Sequence, residues 1–231
     1  MPRPYAGRVH ASPFDQSDYQ VRMEWGVTGL NRLAPADIVV VVDVLRFSTT
    51  VIGAATRGET YALDAAARAA SINGAAVAEA AADSGAIVLL GALRNASAVA
   101  AAAYAEQERR GGRTSIAVIA AGELTGRDPG ATVRFAVEDQ LGAGAIIDAL
   151  ASLGVDHASP EAAVACESFR ALRRAVKHLL TASGSGRELS GLGRADEVAA
   201  AAAVDAASVV PILRDGIFRA HSRAGDAFHP L

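Results

Sequence analysis

The sequence is poor in cysteine and in long apolar runs. Its 231 residues contain a single cysteine, so no disulfide can form within the chain. No apolar run approaches the ~18 residues that a membrane-spanning helix needs, and the segment Met1 to Arg8 lacks the apolar core of a signal peptide. These absences exclude a disulfide-stabilised fold and predict a cytoplasmic protein with no membrane partner.

Concentrated positive charge and familiar catalytic motifs are also missing. The formal net charge is -3 at pH 7 and no basic block occurs, so we expect no nucleic-acid partner. The histidines are scattered without the spacing of zinc ligands. Neither a Gly-x-Ser-x-Gly motif nor a Gly-x-x-x-x-Gly-Lys phosphate loop is present. These absences argue against a zinc enzyme, a serine hydrolase and a P-loop nucleotide-binding protein.

Apolar residues make up 51% of the sequence, and short apolar runs alternate with alanine-rich helical stretches. This alternation predicts an α/β fold, with a mainly parallel or mixed sheet, helices on both faces and a site at the strand carboxyl ends. We expect residues 1–19 to form a mobile arm, residues 20–220 a single domain and residues 221–231 a tail. The apolar balance also predicts a homo-oligomer.

Three local details complete the expected fold. The pair Asn73-Gly74 is predicted to break an alanine-rich helix into two pieces. A later helix is expected to begin at Val133. Pro211 lies within a predicted strand and, because proline has no backbone N–H, favours a position at the edge of the sheet.

The run from Ile38 to Val42 is the strongest strand signal. Its five β-branched residues predict a strand that is covered on both faces. Asp43 follows directly, then Arg46, and the hydroxyl residues that come next open a helical stretch; they are Ser48, Thr49 and Thr50. An acid, a cation and hydroxyls at one strand end suit a metal-and-phosphate site. The alternative is that Asp43 only turns the chain and a hydroxyl only caps the helix.

Two other predicted strands end in polar residues. Asn95 and Ser97 follow the strand Ala86 to Leu90, and Glu123 follows the strand Ser115 to Ala121. Consecutive parallel strands open on the same side of a sheet, so we expect Asp43, Asn95 and Glu123 to face one crevice.

Oxygen ligands in this crevice predict Mg²⁺ as the cofactor. The candidate metal-binding carboxylates are Asp43, Glu123, Glu138 and Asp139. The candidate catalytic residues are Asp43, Arg46, Ser48, Thr49, Asn95 and Ser97. The candidates for substrate binding are Arg46, Ser48, Thr49, Thr50, Asn95 and Ser97. Two alternatives stay open. Glu138 and Asp139 could lie on a solvated helix face and pair with Arg134, and Asn95 could cap a helix.

The chain resembles the 2-phosphosulfolactate phosphatase family, Mg²⁺-dependent phosphohydrolases of the coenzyme M route. The resemblance rests on the segments Asp43 to Thr50, Ala120 to Glu123, Glu138 to Gly144, Ser185 to Leu189 and Val209 to Gly216. It implies an α/β fold, Mg²⁺ and hydrolysis of a phosphate ester of a small anionic acid. It also implies site roles for the residues at the positions of the family's polar motifs, which are Asp43, Arg46, Ser48, Thr49, Glu123, Glu138 and Asp139.

Two segments depart from the family pattern. Asn95-Ala96-Ser97 stands where the family often has an Asn-Gly-Thr or Asn-Gly-Ser turn, and Ala65 to Ser84 lacks its Gly-Glu-Arg and Asn-Ser-Pro stretch. A phosphatase with another substrate, or a non-catalytic small-anion binding protein, is therefore an alternative. A haloacid-dehalogenase-type phosphatase is disfavoured, because Leu45 occupies the position of that class's second aspartate.

Overall fold

A computed structural model of the chain describes residues 12–126, 128 and 130–221. Its strands are β1 (Val21–Trp25), β2 (Ile38–Val42), β3 (Tyr61–Ala62), β4 (Ile87–Gly91), β5 (Ile116–Ala120), β6 (Glu123–Leu124), β7 (Val133–Arg134), β8 (Val210–Arg214) and β9 (Ile217–His221). Its helices are α1 (Gly26–Arg32), α2 (Phe47–Thr56), α3 (Ala65–Ala70), α4 (Gly74–Asp83), α5 (Ala96–Arg110), α6 (Val137–Ser152), α7 (Pro160–Leu172), α8 (Val176–Ala182), α9 (Gly184–Gly191) and α10 (Ala195–Ala201). None of these helices is long and apolar enough to cross a membrane.

The main sheet has the strand order β1-β5-β2-β4-β8-β9-β3. The neighbouring strands β1, β5, β2 and β4 run parallel to one another. Strands β8, β9 and β3 continue the sheet beyond β4 in antiparallel pairs. The predicted α/β fold with a mainly parallel or mixed sheet is therefore confirmed. Val42, the last residue of β2, pairs with Gly91 of β4 and with Ala120 of β5, so three neighbouring strands end at the same level.

Strand β2 is buried on both faces, as its unbroken β-branched run predicts. Val40 and Val42 belong to one apolar core, which contains residues of α5, α6 and α7. Val39 and Val41 belong to a second core on the other face, which contains residues of α4. The helix layers therefore hold the middle of the sheet rigidly, and the polar residues that follow β2, β4 and β5 lie where these strands leave the core.

Two local expectations need correction. Helix α6 begins at Val137, because Val133–Arg134 instead pairs with Glu123–Leu124 as a small hairpin. Pro211 is in β8, which lies between β4 and β9 and is not an edge strand. The sheet accommodates this proline because β8 pairs with β4 only at Leu89 and Ile212.

Part of the predicted arm is attached to the domain. The side chain of Gln16 is buried, donates to the carbonyl oxygen of Met23 at 2.9 Å and accepts from its N–H at 3.1 Å. Residues 12–19 thus pack beside β1, unlike the mobile arm that was expected. Residues 1–11 and 222–231 lie outside the described residues, and the homo-oligomer remains a prediction.

Candidate active site

Asp43 is held between the N-termini of two helices. Its Oδ1 accepts the N–H of Phe47 in α2 at 3.1 Å, and its Oδ2 accepts the N–H of Gly74 in α4 at 3.1 Å and the hydroxyl of Ser71 at 3.3 Å. A side chain at residue 74 would collide with Oδ2 of Asp43, so only glycine lets α4 approach so closely. The helix break predicted at Asn73-Gly74 is therefore part of the site.

Burial, with a smaller effect from the negative charge of Glu123, raises the pKa of Asp43 to about 6. The hydrogen bonds from Phe47, Ser71 and Gly74 act in the opposite direction, because they stabilise the ionised form. Asp43 is 6% exposed. A buried carboxyl group whose pKa lies near neutrality can hold or release a proton during a reaction.

Asp139 ties the ends of β2 and β5 together. Its Oδ1 accepts the N–H of Val44 at 2.7 Å and its Oδ2 accepts the N–H of Gly122 at 2.9 Å. Burial raises the pKa of Asp139 well above its usual range, and the charges of Asp43 and Glu138 add to the effect. Asp139 joins two strand ends in this way and does not line the cleft that contains Asp43 and Glu123, so the geometry favours a structural clamp over the predicted metal ligand.

Glu123 and Glu138 meet at the hydroxyl of Ser185 in α9. Oγ of Ser185 lies 2.5 Å from Oε1 of Glu138 and 3.1 Å from Oε2 of Glu123. Because a serine hydroxyl carries one proton, it can donate to only one of these carboxylates at a time. Glu138 is 3% exposed, so the alternative of a solvated helix face does not hold for this residue.

Asn73 lies between Glu123 and the loop after β5. Its amide nitrogen donates to the carbonyl oxygen of Gly122 at 2.7 Å and to Oε1 of Glu123 at 3.3 Å. Its carbonyl oxygen is buried and has no hydrogen-bond partner in the described part of the chain. A buried acceptor without a partner is costly, so it marks a place for a donor or a cation.

Asp43, Asn73, Glu123 and Ser185 line a cleft of about 580 Å³ beyond the ends of β2 and β5. Acidic lining comes from Asp43, Glu123 and Glu188, and the guanidinium groups of Arg46 and Arg194 also line the cleft. Both guanidinium groups contact Glu197: Arg194 forms a two-pronged pair at 2.6 and 2.8 Å, and Arg46 lies 3.4 Å away. The cleft thus presents carboxylates together with cations that can bind an oxyanion.

Two of the predicted phosphate-binding hydroxyls point inward. Ser48 is fully buried, where it accepts the N–H of Asp43 and donates to the carbonyl oxygen of Val41. Thr49 donates to the carbonyl oxygen of Val44 at 2.8 Å. Both hydroxyls shape the turn after β2. Thr50 is exposed and lines the cleft, so it remains a candidate for substrate contact.

The end of β4 differs from the prediction. Asn95 is fully buried, and its amide group bonds to the main chain of Leu90, Ala92 and Val209. Ser97 bonds to Asp205 through both its N–H and its hydroxyl, beside a separate cavity. Neither side chain is placed to bind a ligand in the cleft. The assignment of Asn95 and Ser97 to catalysis and phosphate binding is therefore corrected, because the chain before β8 covers this strand end.

The oxygen atoms of the cleft fit Mg²⁺ as a small number of protein ligands that water and substrate would complete. Across residues 12–126, 128 and 130–221, no three His, Cys, Asp or Glu side chains lie close enough to hold a metal ion together. Mg²⁺ usually keeps several waters and takes one or two carboxylates together with substrate oxygens. Asp43, Glu123 and the unpartnered carbonyl oxygen of Asn73 are oxygen ligands of the kind that Mg²⁺ takes, and Mg²⁺ itself remains a prediction.

Comparison with known protein families gives one match. The family model described as 2-phosphosulpholactate phosphatase matches residues 64–216. The chain belongs to the 2-phosphosulpholactate phosphatase family. It is accordingly a member of a family of phosphatases, the phosphoric monoester hydrolases. No curated protein matches the sequence.

The family match contains Asn73, Glu123, Ser185 and Arg194 but begins after Asp43. Sequence reasoning missed three of these as site residues. Asn73 was interpreted only as a helix break, although its neighbour Gly74 permits the close approach to Asp43. Ser185 stands in a serine- and glycine-rich turn that opens a helix, a pattern that offered a signal. Arg194 had no local signal, because only the folding of α9 and α10 brings it to the cleft.

Proposed function

We propose that the protein is a Mg²⁺-dependent phosphohydrolase that releases phosphate from a small, multiply anionic phosphate ester. Its family points to 2-phosphosulfolactate or a related 2-phospho acid as the substrate. The observation that carries the proposal is the cleft itself, where Asp43 and Glu123 lie with Arg46 at the ends of two parallel strands. Ligands of open α/β sheets bind at this kind of position.

Arg46 is the proposed ligand of the phosphate group. Its guanidinium group can donate two parallel hydrogen bonds to phosphate oxygens, and these become stronger as charge develops during phosphoryl transfer. Thr50 is exposed at the same rim. Because catalysis of phosphoryl transfer consists mainly of positioning and electrostatic stabilisation, a fixed cation at this place supplies a large part of what the reaction needs.

Asp43 and Glu123, with the carbonyl oxygen of Asn73, are the proposed holders of Mg²⁺. When bound, the ion supplies positive charge for the phosphoryl oxygens and lowers the pKa of water. Asn73 donates to Oε1 of Glu123 at 3.3 Å, and Oγ of Ser185, which it shares with Glu138, lies 3.1 Å from Oε2 of Glu123. Oδ1 of Asp43 accepts hydrogen from Phe47 and retains a lone pair for a cation.

Water is the nucleophile in this proposal, because both carboxyl oxygens of Asp43 already accept hydrogen bonds and the residue is nearly buried. The oxygen of water forms a bond to phosphorus, and its proton passes to a carboxylate of the cleft. The bond between phosphorus and the ester oxygen breaks. The alkoxide takes up a proton and leaves as the hydroxy acid, and inorganic phosphate remains.

The test is release of inorganic phosphate from 2-phosphosulfolactate, 2-phospholactate and phosphoglycolate, with Mg²⁺ and with EDTA. We expect release that requires Mg²⁺ and that is fastest with the sulfonated ester. Glu59→Gln is a control, because it alters an exposed Arg–Glu pair away from the cleft. Tight binding of these esters without any Mg²⁺-dependent release would favour the small-anion binding protein instead.

A further inference from the structure

An exposed apolar surface lies at the edge of the sheet, beside β1. Phe135 and Val164 are 58% and 63% exposed, and they line a cavity of about 460 Å³ together with Met23 and Trp25. Phe14, which is 72% exposed, lines an adjoining cavity. Large apolar side chains that are exposed side by side are typical of a surface that another protein covers.

The hairpin of β6 and β7 holds this surface in place. The rings of Trp25 and Phe135 pack with their centroids 5.3 Å apart. A side chain at residue 122 would collide with Val133 and with the carbonyl oxygen of Arg134. Glycine at this position therefore lets the hairpin pack closely beside β1. Phe135, which follows the hairpin, is thus fixed at the surface before any partner binds, and this lowers the ordering cost of association.

The main chain of β1 is closed to a further strand at its outer edge. The N–H and the carbonyl oxygen of Val21 bond to main-chain groups of residues 157–159. The side chain of Gln16 bonds to both the N–H and the carbonyl oxygen of Met23. A partner therefore does not extend the sheet by pairing with these residues. It contacts the apolar side chains of the surface instead.

Two charges of opposite sign flank the apolar surface. Phe135 lines one cavity with Glu161 and a second cavity with Arg134. Both charged residues are exposed, and neither has an ion-pair partner among the described residues. In a two-fold dimer every contact occurs twice, so Arg134 of each copy can pair with Glu161 of the other. The surface is therefore complementary in charge to itself.

We propose that a second copy of this chain covers this surface. The two copies form a two-fold dimer that buries Phe135 and Val164 and pairs Arg134 of one copy with Glu161 of the other. The proposal gives the expected homo-oligomer a defined interface and does not depend on the phosphatase function. The interface lies beside the candidate active site, because β6 of the same hairpin begins with Glu123.

The experiment is sedimentation equilibrium of the full chain over a range of concentrations, in which we expect a dimer. Phe135→Ser removes the central ring and is expected to raise the dissociation constant of the dimer about 100-fold. Because Phe135 is largely exposed, this change should leave the chain folded, and thermal melting checks that it does. Leu153→Ser is the matched control, since Leu153 is 42% exposed and lines a different cavity. It is expected to dimerise like the original protein.

Charge reversal tests whether the partner is a second copy in this arrangement. Arg134→Glu and Glu161→Arg are each expected to weaken association about tenfold, because like charges then face each other. The variant that carries both changes restores opposite charges and should dimerise within about threefold of the original protein.

An unaltered protein that remains monomeric would overturn the inference, as would a dimer that Phe135→Ser leaves intact. A double charge reversal that associates no better than the single ones would also overturn it, because a two-fold pairing of Arg134 with Glu161 requires the recovery.

Discussion

The ends of β2 and β4 are neighbours in the sheet and stop at the same level, yet they differ in function. Beyond β2, Asp43 lines an open cleft between the N-termini of α2 and α4. Beyond β4, Asn95 is fully buried and bonds only to main-chain groups. The position of a strand end in a parallel sheet shows where a site can form. Whether it stays open depends on chain segments that arrive from elsewhere.

The two ends also use their polar side chains differently. Asn95 satisfies backbone groups of β4 and of the chain before β8, so it stabilises the fold. Asp43 is a buried acid whose pKa is raised by burial, so it weakens the fold while it prepares a reactive group. The comparison predicts a loss of turnover when Asp43 is changed and a loss of stability when Asn95 is changed.

The largest effect is expected for Asp43→Asn. The substitution keeps an acceptor for only one of the N–H groups of Phe47 and Gly74 and removes the negative charge, so kcat/KM for phosphate release should fall about 10³-fold or more. Circular dichroism should show an unchanged fold. A variant that keeps kcat/KM within about threefold of the original would remove Asp43 from the mechanism.

Asn95→Ala should lower stability without lowering turnover. It leaves buried main-chain groups of Leu90, Ala92 and Val209 without their partner, which costs about 3 kcal/mol in the free energy of unfolding. Urea unfolding measures this loss, and kcat of the folded protein should not change. A large loss of kcat with normal stability would return Asn95 to the active site.

The pH dependence of stability should distinguish Asp43 from an ordinary surface acid. Its pKa in the folded protein, about 6, lies above the ordinary value of 3.8 for an aspartate, so protonation favours folding. The contribution of protonated Asp43 to the free energy of unfolding is complete below about pH 4 and is lost as pH rises through about 6. Its size is on the order of 2–3 kcal/mol. The difference in unfolding free energy between the original protein and Asp43→Asn, measured in EDTA, should therefore move in favour of the variant as pH rises. A difference that stays constant from pH 4 to pH 7 would contradict the raised pKa.

The smallest effect is expected for Ser97→Ala. The hydroxyl bonds to Asp205 at an exposed position outside the cleft, so its loss should cost less than about 1 kcal/mol in unfolding free energy. The KM and kcat for phosphate release should match those of the original protein. A raised KM would indicate that the end of β4 contacts substrate after all.

Local patterns predicted much of the fold. The β-branched run of β2 and the helix break at Asn73-Gly74 occur as expected, because each depends on neighbouring residues. The hairpin of β6 and β7 was missed, since pairing between Glu123 and Arg134 overrides the helical pattern at Val133. Non-local pairing of this kind leaves little trace in a short window of sequence.

The candidate site was predicted only in part for the same reason. Asp43, Arg46, Thr50 and Glu123 lie in the cleft as strand-end reasoning anticipated. Ser185 is 62 residues from Glu123 along the chain, and no periodicity connects the two. Ser48 and Asn95 have the right residue type for phosphate binding, but their hydrogen bonds to the backbone turn them into structural residues.

A crystal structure of the protein with Mg²⁺ and inorganic phosphate would test the central assignment most directly. We expect phosphate within hydrogen-bond distance of Arg46, on the side of the cleft that contains Asp43 and Glu123. Phosphate bound at Ser97 and Asp205, with none beside Arg46, would contradict the account.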